Sequence, residues 1–525
     1  MLRETSPSEP EAPGYDPAKR WWTLAVLCLS LVLVVVGNTV LNVALPTLAR
    51  ELGASASELQ WIVDSYALVF AGLLLLCGAL GDRFGRKGAL NAGLWIFGAS
   101  ALLSAFADSA AQLIALRAVM GLGAALIMPA TLSILTNVFP AHERARAIAI
   151  WAGLAGAGAV IGPLASGFLL EHYWWGSVFL VNLPVVAAAL LGGRVLVPSS
   201  KDPAQSPLDP VGAVLSTAGL AALLFGIIEA PHHGWGAPTT LAWGAAGLAV
   251  LGAFAAWELR ARHPMLDLRW FRHRTLSTSC LAISLVFFAM FGLFFVLTQY
   301  LQLVLGYGTL EAGARLLPMS FVLMIFAPAS ARFVEWWGAR RVIGAGLAIV
   351  ATGLIILSRV GPDASYLHVV GSLMVMAVGM GISMAPATTG VMASLPLGKA
   401  GVGSAINDTT RELGGALGVA VFGSILASSY SDGVADSSAA LAEPAASVVR
   451  NGLAEALGVA SQLPGGGAGL LAAARDAYAG AMSSTLVVGA VLCAVGAVLV
   501  TRYYGGESSG ETRAPAPGVD REAAA

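Results

Sequence analysis

Residues Gly78–Leu90 read GALGDRFGRKGAL, between two apolar runs long enough to cross a membrane. The stretch is therefore a short connection between two spans. Gly78 and Gly81 loosen the end of the first span, and Gly85 permits a tight turn. Asp82 stands among Arg83, Arg86 and Lys87. An acid facing cations at helix ends can lock neighbouring helices together at one membrane face. A turn kept on the cytosolic side by its positive charge explains the cations, but not the spacing of the glycines and the acid.

The rest of the chain agrees with membrane residence. Of 525 residues, 57% are hydrophobic and 11% charged, with a mean hydropathy of +0.77. Soluble domains carry about 25% charged residues. Fourteen candidate spans follow from apolar length, at 22–45, 59–80, 88–107, 111–135, 146–170, 177–197, 211–230, 239–258, 276–299, 311–332, 340–358, 366–391, 400–427 and 481–501. With the N-terminus inside, Arg50, Arg315, Arg359, Arg450 and Arg475 fall outside, and Arg117 and Arg411 fall within spans. The other basic residues gather at the cytosolic side or in the tails, as positively charged loops require. An even number of spans then puts both termini in the cytosol.

The formal net charge of −1 excludes a nucleic-acid partner recognised by bulk charge. Cys28, Cys77, Cys280 and Cys493 sit in apolar runs without metal spacing and read as small buried hydrophobes. His232 and His233 beside Glu229 supply too few ligands for a metal site. There is no nucleophile–base set and no phosphate loop, so neither an enzyme nor an ATP-driven pump is expected, and no cofactor. The polar, proline-rich start at 1–20 reads as a tail and not as a cleaved leader. The stretch 428–480 reads as an extracellular loop too poor in large apolar residues for a core of its own, with a short helix near 445–457.

Charges inside spans carry the functional signal, because each costs on the order of 2.5–3.5 kcal/mol to insert. INDTTRELGG, Ile406–Gly415, holds Asp408, Arg411 and Glu412. On a helix these are i, i+3 and i+4 neighbours and share one sector facing the bundle interior. Asp408 lies about 12 Å along the span at 1.5 Å per residue. Loss of water disfavours a charged carboxylate there, and the nearby guanidinium favours it. Such a group can either exchange a proton as water enters from one side or serve as a structural ion pair. Arg117, in the fourth span, must likewise face a cavity or a carboxylate. Asp64, in QWIVDSYALVFAG with Trp61 and Tyr66 nearby, is either a proton acceptor or cation contact on the outer side, or an interfacial carboxylate.

At this point several motifs in order resemble one family. GALGDRFGRK is similar to the signature loop of the major facilitator superfamily. LIALRAVMGLGAA is similar to its R-x-x-Q-G pattern, with Arg117 in place and Met120 where Gln is usual. GAVIGPLASGFL looks like the antiporter motif, with Gly158, Gly162, Pro163 and Gly167 matching and Ser166 replacing one glycine. With NTVLNVALP in span one and AGVGSAINDTTRELGGALGVA in span thirteen, the chain resembles the fourteen-helix drug:proton antiporter family (EmrB/QacA type). RFVEWWGARR, 332–341, looks like a degraded second copy of the signature loop.

The resemblance implies an all-α polytopic membrane protein with the major facilitator fold, built as two six-helix halves plus an inserted helix pair. The divisions expected are a cytosolic tail at 1–20, a first half at 21–200, the inserted pair at 201–262, a second half at 263–502, and a cytosolic tail at 503–525. It also implies proton-driven efflux of amphipathic small molecules and drugs across the cytoplasmic membrane by a monomer. Proton coupling is expected of Asp64, Arg117, Asp408, Arg411 and Glu412. Substrate contacts are expected of Asn38, Asn42, Tyr66, Gln299 and Gln302, although Asn38 and Asn42 serve equally well as bonds between helices. The chain departs from the family where an acid usually opens the span-one motif, since Gly37 stands there and binds no proton. Export or facilitated movement of an endogenous metabolite without proton coupling, or a membrane sensor that transports nothing, are the alternatives.

Overall fold

The computed structural model describes residues 19–200, 208–395, 400–439, 441–463 and 467–505. The expected tails lie almost wholly outside these residues. In lipid every backbone N–H and C=O must be bonded within its own segment, so each apolar run folds as a helix. The chain forms α1 (Arg20–Leu52), α2 (Ala56–Phe84), α3 (Arg86–Ser104), α4 (Ala110–Val138) and α5 (Ala141–His172). A broken helix follows as α6 (Ser177–Leu180) and α7 (Asn182–Leu196), then α8 (Pro210–His233) and α9 (Pro238–Arg260). Next come α10 (Arg274–Gln299), α11 (Thr309–Ala314), α12 (Leu317–Trp337), α13 (Ala339–Leu357) and α14 (Tyr366–Ala393). The chain closes with α15 (Ala400–Ser438), α16 (Ala445–Asn451), α17 (Leu453–Gln462) and α18 (Ala468–Tyr503).

Local chemistry sets the ends. Ser55 and Glu58 form a reciprocal cap on α2, and the Asp209 carboxylate accepts from Gly212 N at 2.8 Å to start α8. Gly53 at φ 63° and Gly85 at φ 124° make turns that a side chain would strain.

By length and apolar composition, twelve stretches among the described residues can cross a membrane, not the fourteen expected. The two that differ are 88–107 and 146–170. The first corresponds to α3, a 19-residue helix that opens on Arg86 and Lys87 and carries Asn91 and two serines, which dilute its apolar character. The second corresponds to α5, where the side chains of several residues within 141–160 are not described.

The helices pack into two groups with the same internal pairing. In the first, α1 packs on α5, α2 on α4, and α3 on α4 and α7. In the second, α10 packs on α15, α12 on α14, and α13 on α14 and α18. The groups meet through α2 with α15, α5 with α11, and α1 with α10. Helix α8 lies against both α2 and α15, and α9 packs on α8.

The stretch 428–480 is more structured than a loop. Helix α15 runs on to Ser438 and α18 begins at Ala468, while α16 and α17 fold between them. Val449, Leu453 and Ala456 are buried there with Tyr430 and Tyr478. Few apolar residues suffice, because this cap borrows the ends of α15 and α18 as its core. The end of the bundle beneath α16 and α17 is called the capped end below, and the end carrying Asp82–Lys87 the basic end.

Candidate functional site

Helix geometry gathers the charged trio on one side of α15. Arg411 Nη1 lies 3.9 Å from Asp408 Oδ1, a loose contact, and Asn407 Nδ2 donates to the same oxygen at 3.2 Å. Arg411 also reaches α14, where Thr388 Oγ1 is 3.5 Å from Nη2, and lies over the Phe287 ring of α10 at 5.4 Å. Thr388 in turn donates to Asn407 Oδ1 at 3.1 Å. Glu412 reaches a different helix. Its Oε2 accepts from Asn38 Nδ2 of α1 at 3.3 Å, a bond between the two helix groups.

Asn38 Oδ1 and both side-chain atoms of Asn42 are buried without a hydrogen-bond partner in the protein. An amide held this way is ready to bond water or a ligand. Asp64 is fully buried on α2, and neither carboxylate oxygen has a protein partner. The structure does not bring it into an ion pair.

Arg117 is fully buried without a carboxylate. Its Nη1 donates to Gly37 O at 3.0 Å, its Nε to Ile62 O at 3.1 Å, and its guanidinium lies 4.3 Å from the Tyr66 ring centre. Tyr66 donates its hydroxyl to Val34 O at 3.2 Å. Arg117 and Tyr66 thus stitch α1, α2 and α4 together, with the Tyr66 hydroxyl proton engaged by Val34. A β-carbon on Gly121 would sit 2.5 Å from Tyr66 O, so the glycine lets α4 approach α2.

At the basic end, Arg86 Nε binds Asp82 Oδ1 at 2.7 Å, its backbone N–H donates to Ser200 O at 2.9 Å, and Lys87 Nζ donates to Arg194 O at 3.0 Å. Arg83 lies over Phe84. A β-carbon on Gly78 or Gly81 would contact Pro129 or Ala89. The turn therefore ties α2 and α3 to the chain leaving α7.

At the capped end, the antiporter-like stretch of α5 packs on α11. A β-carbon on Gly167 would sit 2.6 Å from Leu310 Cα, and one on Gly313 would sit 2.6 Å from Pro163 O. Thr309 Oγ1 donates to Gly167 O at 3.1 Å, and Gly162 faces Thr39. Gly158 is among the α5 positions whose packing is not described. Gln302 Nε2 donates to Val43 O of α1 at 2.9 Å, so it links the helix groups. Gln299 bonds Phe295 O of its own helix and lines a chamber of about 30 Å³ under the cap.

Sequence reasoning missed Thr388, Asn407 and Phe287 around Arg411, and Phe97 against Gly37. Asn407 adjoins Asp408 in the charged motif and could have been included. Thr388, Phe287 and Phe97 carry no signal in ordinary apolar helices.

The family described as the Major Facilitator Superfamily matches residues 27–419. The multidrug efflux pump LfrA of Mycolicibacterium smegmatis is 37% identical over 486 residues, covering 92% of this chain and 96% of its own. The methyl viologen resistance protein SmvA of Salmonella typhimurium is 34% identical, covering 88% of this chain and 93% of its own. Among solved structures, a bacterial homolog of the human lysosomal transporter Spinster, inward-facing and unoccupied, superposes with a TM-score of 0.67. It is 20% identical and covers 93% of this chain and 98% of its own, a likeness of fold.

Proposed function

The chain belongs to the major facilitator superfamily, and from that membership we propose that it exports amphipathic small molecules, drugs among them, across the cell membrane in exchange for protons. Relatives named for multidrug efflux and methyl viologen resistance along almost their full lengths support the export of such compounds. Helices α3 and α5 cross the membrane with the other twelve spans, giving fourteen. The basic end faces the cytosol with both termini, and α8–α9 are an inserted pair between two six-helix halves.

The observation that carries the mechanism is the Asn38–Glu412 bond joining the halves beside Asp408 and Arg411. A charged carboxylate holds an amide N–H more strongly than a neutral one. A proton on Glu412 therefore weakens a link between halves and leaves Arg411 with less negative charge around it. Substrate enters from the cytosol while the capped end is shut. A proton arriving from outside displaces it as the halves rock, and the proton leaves inside on return. Each charge moved supplies about 2.3 kcal/mol per 100 mV, with the pH difference in addition.

Export without proton coupling is the second reading, and one observation favours it. Gly37 presents only a carbonyl to Arg117, and the Phe97 ring leaves no room for an acid there.

Inverted membrane vesicles, acidified inside, separate the two. Addition of a transported cationic amphiphile releases protons from wild type but not from Glu412→Gln or Asp408→Asn if the trio couples. Transport by wild type with no proton movement overturns coupling and leaves the second reading.

A further inference from the structure

Pro231 lies inside α8 and has no N–H, so the carbonyl of Ile227, four residues earlier, loses its helical donor. At membrane depth such a carbonyl needs another donor. Ser424 of α15 supplies it, with Oγ 2.7 Å from Ile227 O. The same Oγ lies 3.3 Å from the side-chain amide oxygen of Gln60 on α2, while Gln60 Nε2 is buried with no protein partner.

One hydroxyl has one proton, and the shorter contact assigns it to Ile227. The two ends of an amide are nearly alike in shape, so turning Gln60 over lets Nε2 donate to Ser424 Oγ. Donors and acceptors then agree along one chain, Gln60 N–H to Ser424 oxygen and Ser424 O–H to Ile227 carbonyl, with the Gln60 oxygen in the buried place that Nε2 held. Gln60 is 1% exposed and Ser424 fully buried. The neighbouring glycine makes the crossing possible, since a β-carbon on Gly423 would meet Gln60 Cδ at 2.5 Å. Small residues of α2 and α15, Ala67, Ala416 and Ala420, pack with Leu224 and Ile228 of α8 along the same seam.

We propose that this chain is a clasp through which the inserted helix pair holds the capped end of the α2–α15 seam shut. On that reading α8 is a third element of the gate and not a lipid-facing addition. The proposal rests on alternating access, because a clasp matters only if the halves separate at this end.

The test uses the full chain in proteoliposomes, with Cys28, Cys77, Cys280 and Cys493 replaced by alanine. Leu426, buried in the small chamber beside the clasp, is changed to cysteine and labelled with a membrane-impermeant maleimide. Ser424→Ala removes the node and is expected to speed labelling about fivefold, the factor one net hydrogen bond carries. Pro231→Ala returns an N–H to Ile227, competes with Ser424, and is expected to speed labelling as well. It should add nothing in the presence of Ser424→Ala, because both act on one bond.

Labelling of Ser424→Ala at the parental rate overturns the proposal, and so does a further increase when Pro231→Ala is added to it. If Ser424→Ala is not recovered folded, Gln60→Leu takes its place, keeping bulk against Gly423 under the same expectation and the same refutation. Labelling needs neither substrate nor a proton gradient. Faster labelling in a protein that exports nothing keeps the clasp and removes the transport reading, and unchanged labelling in an active exporter removes the clasp alone.

Discussion

The ring of Phe97 fills the space in front of Gly37, its Cζ 2.7 Å from where a β-carbon would sit. The backbone carbonyl of Gly37 meanwhile takes a hydrogen bond from Arg117. A neutral carbonyl and an aromatic ring thus occupy the place where the family resemblance implies an acid.

Restoring that acid alone should therefore harm the protein. Gly37→Asp overpacks the α1–α3 contact, at a cost of about 1–3 kcal/mol. It should lower the unfolding temperature in detergent, and adding Phe97→Leu should recover part of the loss. A Gly37→Asp protein as stable as its parent shows that the ring yields freely.

Arg117 makes two bonds to main-chain carbonyls on different helices, from Nη1 and from Nε. A lysine ammonium cannot reach both in that fork. Each hydrogen bond to a charged group contributes about 1.5–3 kcal/mol, so Arg117→Lys should lose at least that much stability. Thermal unfolding reads this directly, and equal stability of the two proteins refutes the stitching role.

Gly167 meets the backbone of Leu310 so closely that a methyl group must push α5 and α11 apart. Alanine favours a helix over glycine by about 1 kcal/mol, so the helix itself will form. Gly167→Ala should yield folded protein whose capped end closes poorly. The check is passive leak of a small dye from unenergised vesicles, expected to rise, together with a fall in active export. Tight vesicles with normal export remove the role of this contact in closure.

In the cap, burial raises the affinity of the Glu455 carboxyl for its proton above the ordinary carboxylic acid. The unfolded cap releases that proton at lower pH than the folded one, so cap stability is greatest in acid and declines as pH rises above the ordinary value. Hydrogen exchange in Leu453–Gln462, corrected for intrinsic rates, should be slower near pH 5 than near pH 7.5. Glu455→Gln should remove that difference. Exchange that is independent of pH in the parent refutes the effect.

Membrane residence, the helical class and the presence of a charged trio were legible from the sequence, because they rest on local properties. Apolar length sets a span, and i, i+3 and i+4 spacing sets a shared helix face. The loop Asp82–Lys87 was legible for the same reason, as its ion pair joins neighbours along one turn. Partners across helices were not. That Glu412 meets Asn38, that Gln302 bonds Val43, that Arg117 has carbonyls for partners, and that Ser424 answers the carbonyl freed by Pro231 depend on which helix faces which. Periodicity within one helix says nothing about the height and rotation of the next. Those are set by close packing of small residues such as Gly121, Gly167 and Gly423 against a neighbouring backbone or side chain, and only the folded bundle decides them.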